Sequence, residues 1–533
     1  MDREVNIDSI RALEEQIKEH ERTIIKLKRA RNSLLNVSTL PPEVLGKIFR
    51  WNVTLKDDFD GLEEGSHNFL LVCRHWFEVA SRTPELWSFW GNNLGDWEER
   101  YLRSSVGTPL DLVLDGLTYM FGSVSESQQM VLKDYAARDT IRRVHLQSDM
   151  HCLLTSIIFP LLSSRGGLRT NSLESFILCN EDQTPLDVSF FAHSCLPKLR
   201  RLKLAGCIIS SWDHLTPRTT LLTTLELFFD DVSPYPTMPQ LLSILASNPH
   251  LQKLTLNPRA IPNDGGGGSS SHVPLRHLQE LRLEGGVEQV FGLLRRLEHP
   301  EKMGMLTLDL LYCSVADISQ TIGPYLRNYL WCRGRSRNGL GLCLSSSSYI
   351  TFSVGDATRL HPSTLISSRM TSFVSLSVGM NQALPEDGLE KLTLDLIAHT
   401  PREEIVYFRT CSSLEAVKDL GVQLPNLKAL DLYRVPLSAA FPVLGRDGFH
   451  VYERFPSLQH LLLARPHLNV DSWIPLIVFL SYRASSGNQL DSLLVDGPCH
   501  MCSTITQRIR GFVRKFKIDD ECLRSWCPFG NCL

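Results

Sequence analysis

The residues of this 533-residue chain best suited to chemistry lie at its end, where Cys499 and Cys502 bracket His500 and Met501, and Cys522, Cys527 and Cys532 follow. Two thiols at this spacing with further thiols downstream could supply a tetrahedral zinc site. The later spacings are looser than the paired-ligand pattern, so buried or incidental thiols are the expectation, and no metal or other cofactor is assigned. Between the cysteines, Thr504 to Lys517 sets Ile505, Ile509, Phe512 and Phe516 on one helical face, with Arg508, Arg510, Arg514, Lys515 and Lys517 mostly elsewhere. Such a helix can meet nucleic acid or an anionic membrane, but a polar-faced helix closing the end of a stacked array accounts for both faces. The stretch Asn263 to Ser271 is rich in glycine but lacks the Gly-Lys-Ser/Thr ending of a phosphate-cradling loop, and reads as a flexible insert. With no nucleophile elbow and no dinucleotide fingerprint in the chain, no catalytic residue is assigned.

The elements around these residues carry ordinary proportions of charge and apolar side chains. A formal net charge of -3 points to no polyanionic partner. The longest apolar run, Trp473 to Leu480, is too short to span a bilayer, and the N-terminus is charged where a signal peptide would be apolar. Cys152, Cys195 and Cys343 sit singly inside apolar patterns, as free thiols do in a reducing compartment. These features predict a cytoplasmic or nuclear protein that meets neither nucleic acid nor membrane.

From the N-terminus, Ile10, Ile17, Ile24 and Arg31 fall seven apart, and Leu13, His20, Leu27 and Leu34 form the second series of a heptad. Acidic residues dominate the start of this helix, and Arg22, Lys26, Lys28, Arg29 and Arg31 its end, which suits the helix dipole. His20 and Arg31 weaken the seam. It can therefore either form a weak homodimer or fold against the module that follows.

That module begins Leu40-Pro41-Pro42-Glu43-Val44. Prolines suit the first turn of a helix, with Thr39 as its expected cap. Val44, Leu45, Ile48 and Phe49 recur three to four apart and predict a short amphipathic helix. Phe69, Val72, Cys73, Trp76 and Phe77 repeat the pattern, and Pro84 is placed to open another short helix at Thr83-Pro84-Glu85-Leu86-Trp87. The insert from Lys56 to Gly65 reads as a loop. In order and spacing these pieces resemble the F-box, a small helical module. The resemblance implies docking on the Skp adaptor of cullin-RING ubiquitin ligases, with Leu40, Pro41, Pro42, Val44, Leu45, Ile48, Val72, Cys73 and Trp76 contributing to the interface.

One phrase then recurs, Leu-x-x-Leu-x-Leu, at Leu199 to Leu204, Leu222 to Leu227, Leu251 to Leu256 and Leu278 to Leu283, with central leucines 23, 29 and 27 positions apart. Looser copies run from Leu173, Met305, Phe373, Leu427, Leu458 and Leu490, and Leu110 to Leu114 and Thr140 to Leu146 supply irregular first units. Helical segments such as Gln240 to Ala246 and Val290 to Leu297 lie between copies, so each unit reads as helix, turn and strand. No register is assignable around residues 334–354. A closed α/β domain with leucine-rich strands is the competing architecture. The phrase resembles leucine-rich repeats, with Leu199 to Cys207 and Met305 to Cys313 matching through to the terminal cysteine. The resemblance implies an α/β chain: a coiled-coil-like helix over 1–38, an all-α F-box over 39–105, a curved solenoid with a mostly parallel sheet over 106–498, and a capping tail over 499–533.

An F-box joined to leucine-rich repeats is similar to the substrate receptors of SCF-type ubiquitin ligases, and with a heptad helix ahead of it, to large F-box families of mushroom-forming fungi. Such a protein would have no catalysis of its own and would hold an unidentified target protein near a ubiquitin-loaded enzyme. The competing class is a non-degradative scaffold. Strand alternation predicts that Arg201, Lys203, Thr224, Glu226, Lys253, Thr255, Glu280, Arg282, Asp309, Ser377, Ala429, Asp431, His460 and Leu462 face outward on the concave sheet. The target is expected to anchor near Asp431 to Leu462 and to be oriented near Arg201 to Arg282.

Overall fold

Residues 2–33 contain neither glycine nor proline, and they form one unbroken helix, α1 (Asp2–Ser33). It opens a computed structural model that describes residues 2–34, 36–53, 68–91, 107–115, 140–148, 172–180, 186–187, 196–208, 212, 221–229, 235–262, 272–298, 300, 303–313, 315–333, 340–346, 349–356, 372–380, 397–400, 402–410, 424–433, 455–464, 473–496 and 503–518. The chain divides into two compact units, 1–222 and 223–533. Both belong to a mixed α/β architecture with helices at the N-terminus and mostly parallel strand pairing.

In the first unit, α2 (Pro42–Val53) and α3 (Arg74–Ser81) are followed by β1 (Phe89–Gly91), β2 (Leu110–Asp115), β3 (Ile141–Ser148), β4 (Ser175–Asn180), β5 (Leu186–Asp187), β6 (Arg201–Ala205) and β7 (Cys207–Ile208). Strands β1, β2, β3, β4 and β6 pair in that order, all parallel, and β5 pairs with β7. The register stacks Leu112, Val144, Phe176 and Leu202 in one row, and each is at most 2% exposed. Period-2 alternation thus puts leucines inward, and β6 alternates half-buried and buried positions along its length. Arg142 is the extra residue where the β2–β3 register shifts, and its guanidinium grips Asp111 with bonds of 2.9 and 2.5 Å.

The second unit contains β8 (Thr224–Phe228), α4 (Met238–Ala246), β9 (Lys253–Leu256), β10 (Val273–Pro274), β11 (Glu280–Gly286), α5 (Val287–Leu294), β12 (Leu297–Glu298), β13 (Met305–Cys313) and α6 (Gly323–Arg333). It continues through β14 (Leu340–Ser346), β15 (Tyr349–Asp356), β16 (Ser372–Met380), β17 (Ile405–Thr410), β18 (Ala429–Tyr433), β19 (His460–Ala464), α7 (Trp473–Ser485), β20 (Leu490–Asp496), α8 (Ser503–Phe512) and β21 (Val513–Ile518). Strands β8, β9, β11 and β13 are parallel neighbours, as are β17, β18, β19, β20 and β21. Short β10 and β12 form a separate parallel pair. Between the two runs the chain leaves a two-strand gap after β13 and lays down β14 beside β17. It then returns antiparallel as β15 and again as β16, which closes on β13. This excursion is why no repeat register fits 334–354.

Local chemistry fixes several ends. Thr237 and Gln240 form a capping box on α4. Gly206 has a φ of +63°, and a Cβ there would lie 1.9 Å from the carbonyl oxygen of Asn180, so only glycine fits. Buried Asn180 donates to the Gly206 carbonyl at 3.0 Å, and Asn257 donates to the Phe229 carbonyl while accepting from its N–H. Arg483 on α7, 3% exposed, donates to the carbonyls of Phe455 and Leu458, both at 2.7 Å.

One expectation is corrected. The helix expected over Thr504 to Lys517 ends at Phe512, after Gly511, and the Val-Arg-Lys-Phe-Lys-Ile run continues as strand β21 beside β20. Thr39 closes a tight turn over Asn36–Thr39, and the carbonyl of Pro41 accepts from the N–H groups of Val44 and Leu45.

Candidate functional site

The α2–α3 hairpin builds a small aromatic core. Leu45 and Phe49 point into it, and the Phe49 ring stacks on Phe69 with centroids 4.5 Å apart and meets Trp76 at 5.1 Å. Leu70, Val79, Ala80, Leu86 and Trp87 complete it, and the Trp87 indole donates to the carbonyl of Ala80 at 2.8 Å. Cys73 is the N-cap of α3, its sulfur accepting from the N–H of Trp76 at 3.5 Å. As expected, Pro84 opens a further short helical turn, Pro84–Leu86, here of the 3-10 type.

At 3.6 residues per turn α2 has three faces. Leu45 and Phe49 face the core, while Val44, Ile48 and Trp51 form a second stripe that stays wet, with Trp51 80% exposed. Leu71 and Val72, in the turn before α3, are exposed as well, as are Pro41 and Pro42, and Leu40 is half-buried. Of the residues expected at the adaptor interface, Leu45 is corrected: it is 0% exposed and supports the surface from beneath. Cys73 and Trp76 are half-buried, one occupied as a cap and the other leaning on Phe49. Trp51 and Leu71 join this exposed surface without standing among the residues expected at the interface, although Trp51 continues the series from Val44 and Ile48. The third face of α2 lines a groove of about 510 Å³ with Glu43, Lys47, Arg50, His75, Glu78 and Glu85 among its walls. Its mixed charges are solvated. The hydrogen bond from Arg74 holds the Glu78 carboxyl below the usual carboxylate range.

The strand face opposite the leucines is more buried than alternation alone predicts. On the first unit Arg201 and Lys203 are half-buried on β6. Nearby His145 is lowered to about 4 by burial and by the charges of Arg201, Arg143 and Lys203, and shares a 3.0 Å hydrogen bond with Ser175. On the second unit Lys253 lies 3.3 Å from Glu226 and 3.8 Å from Glu280, and Arg282 lies 3.0 Å from Asp309. These strand neighbours neutralise one another across the sheet. Three expected contact residues are corrected: Glu226 is 6% exposed, Asp431 1% and Leu462 5%. The register sets Asp431, Leu462 and Leu494 side by side, so each covers the next, and Tyr407 closes over Asp431 with a 2.8 Å hydrogen bond. Thr255 is buried too. His460 remains half-buried with a 2.9 Å bond to Ser492.

Among the described residues no group of three or more His, Cys, Asp or Glu side chains could hold a metal ion, and no helix is long and apolar enough to cross a membrane. Cys73 and Cys313 are free thiols, and burial pushes the Cys313 thiol up to about 12, which makes it unreactive. The 56–65 insert, the glycine-rich 263–271 insert, Cys152, Cys195, Cys499, Cys502, Cys522, Cys527 and Cys532 lie outside the described residues, as does the side chain of Cys343. No protein-family model and no curated protein matches the chain.

Proposed function

We propose that this protein is the substrate-recognition subunit of an SCF-type ubiquitin ligase, docking on the Skp adaptor through the hairpin of residues 40–76. The observation that carries this reading is the wet stripe of Val44, Ile48 and Trp51 beside a core already completed by Leu45, Phe49 and Phe69. A module this small cannot cover that stripe itself. Burying one Leu- or Ile-sized group is worth roughly 1.5–3 kcal/mol, so a partner that covers several gains substantial affinity. The Leu-Pro-Pro opening and the Val72-Cys73-Arg74-x-Trp76 turn, which carry the F-box resemblance, lie beside this surface and support the reading.

The strands downstream would then form a leucine-rich solenoid that holds the target. Recurrent Leu-x-x-Leu-x-Leu strands in parallel register, with helices between several of them, support that architecture. Target contacts fall on the strand-face groups that keep solvent access: Arg201 and Lys203 on the first unit, Lys253, Arg282, Asp309 and His460 on the second. In this reading the protein does no chemistry itself, and it works in the cytoplasm or nucleus with a cullin-RING core.

Co-purification with the Skp adaptor tests the proposal. Leu40→Ala combined with Pro41→Ala should abolish adaptor capture while the far-UV circular dichroism stays unchanged. Undiminished capture would move the adaptor surface away from Leu40 and Pro41, and a native chain that captures no adaptor would favour the other class, a non-degradative interaction scaffold.

A further inference from the structure

We propose that α1 is a self-association element that pairs antiparallel with α1 of a second copy of this chain. The seam of α1 is open: Ile10 is 49% exposed, Leu13 58%, Ile17 56%, Ile24 49%, Leu27 66% and Leu34 84%. The chain's own fold therefore buries none of these six, although they repeat at heptad spacing along a 32-residue helix. A seam of this kind is covered when a second helix inserts its own a and d side chains between them.

Charge selects both the occupant and its direction. Residues 2–21 carry seven carboxylates (Asp2, Glu4, Asp8, Glu14, Glu15, Glu19 and Glu21) and three basic groups, whereas residues 22–34 carry five basic groups and no carboxylate. A second α1 laid antiparallel sets the acidic half of each helix against the basic half of the other. A parallel, in-register pair would oppose like charges along its whole length, with Arg31 against Arg31 and His20 against His20 inside the seam. In the antiparallel register where Ile10 meets the partner's Leu34, Ile17 meets Leu27 and His20 meets Ile24, so no apolar seam residue lacks a counterpart. Leu13 then meets Arg31, whose aliphatic stem can pack while its guanidinium reaches the rim, and Glu14 lies beside Lys28. The pairing uses no residue of the adaptor-facing hairpin, so it does not depend on the proposed function. If that function holds, the dimer presents two target-binding arrays at once and gains avidity for a repeated or dimeric target.

Sedimentation equilibrium of the full chain over a concentration series, with Ile17→Asp/Ile24→Asp as the variant, tests association. Both positions are about half exposed in the single chain, so the variant should keep its fold, which far-UV circular dichroism checks. Orientation is read by mixing full-length Leu13→Cys and Arg31→Cys chains under mild oxidation and mapping linked peptides by mass spectrometry, which separates them from links made by native thiols. The expected result is a dimer for the native chain, a monomer for the double variant, and a dominant disulfide joining the Leu13→Cys peptide to the Arg31→Cys peptide. A native chain that stays monomeric, a dimer indifferent to the aspartates, or Leu13→Cys chains that link to one another in preference to Arg31→Cys chains would each overturn the proposal.

Discussion

Asp431 should make the second unit lose stability as pH rises, the reverse of the usual behaviour of a folded carboxylate. Its side chain is 2% exposed, Tyr407 donates to Oδ2 at 2.8 Å, Arg409 stands 3.6 Å from that same oxygen, and Oδ1 is buried without a hydrogen-bond partner. Desolvation therefore outweighs the pull of Arg409 and Tyr407, with Asp496 adding repulsion, and the carboxyl is raised from 3.8 to about 6. Because the folded state holds this proton more tightly than the unfolded chain, the contribution is fully present below pH 3.8 and is lost as pH rises through about 6. That span corresponds to about 3 kcal/mol. Asp431→Asn keeps an acceptor for Tyr407 and removes the titration, so its stability should be flat over the same interval relative to the native chain. Urea unfolding at several pH values between 4 and 8, read by hydrogen exchange of a peptide spanning residues 424–433, isolates the unit that holds Asp431 from the other. Native and variant curves that run parallel across the interval would show instead that Arg409 keeps the carboxylate ionised in the fold.

Phe49→Ala removes the ring that joins α2 to Phe69 and Trp76, and should cost about 3–5 kcal/mol locally, seen as lost exchange protection across residues 42–53. Gly206→Ala should lower the melting temperature more than Gly487→Ala. Both glycines have positive φ, a strain of about 1–2 kcal/mol for alanine, but only at Gly206 does the new methyl strike a carbonyl oxygen. Arg483→Met removes the guanidinium donors from the carbonyls of Phe455 and Leu458, of which Phe455 keeps the N–H of Leu458 at 3.2 Å, and should cost on the order of 1–3 kcal/mol in the urea unfolding of the second unit.

Period and spacing carried the local part of this structure. The Leu-x-x-Leu-x-Leu phrase is legible because strands alternate faces, and Leu202, Leu225, Leu254 and Leu281 all turn inward at 0–2% exposure. The two hairpin helices are legible because Val44, Leu45, Ile48 and Phe49 recur at helical spacing. Alternation names a face but not the depth of burial on it, which depends on register with strands about thirty residues away. Leu462 looks solvent-facing until Asp431 and Leu494 are set beside it. The excursion through β14, β15 and β16 is hidden for the same reason, since its neighbours β13 and β17 are fixed by pairing and not by local propensity. Arg483 carries no signal at all in a sequence where arginines normally mark the surface. On the hairpin the missing piece was smaller: Trp51 stands three residues beyond Ile48, and carrying the stripe one more turn would have found it.

The proposal that the wet stripe on α2 is an adaptor-binding surface is tested by equilibrium binding of purified Skp adaptor to the full chain. Val44 and Ile48 are each 41% exposed, so Val44→Asp/Ile48→Asp changes the surface and leaves the stacked core of Phe49, Phe69 and Trp76 in place. The expected result is saturable binding by the native chain and a loss of at least ~100-fold for the double variant, since two large apolar contacts become buried charges. A native chain that does not bind the adaptor, or a variant that binds it as tightly as the native chain, would contradict it.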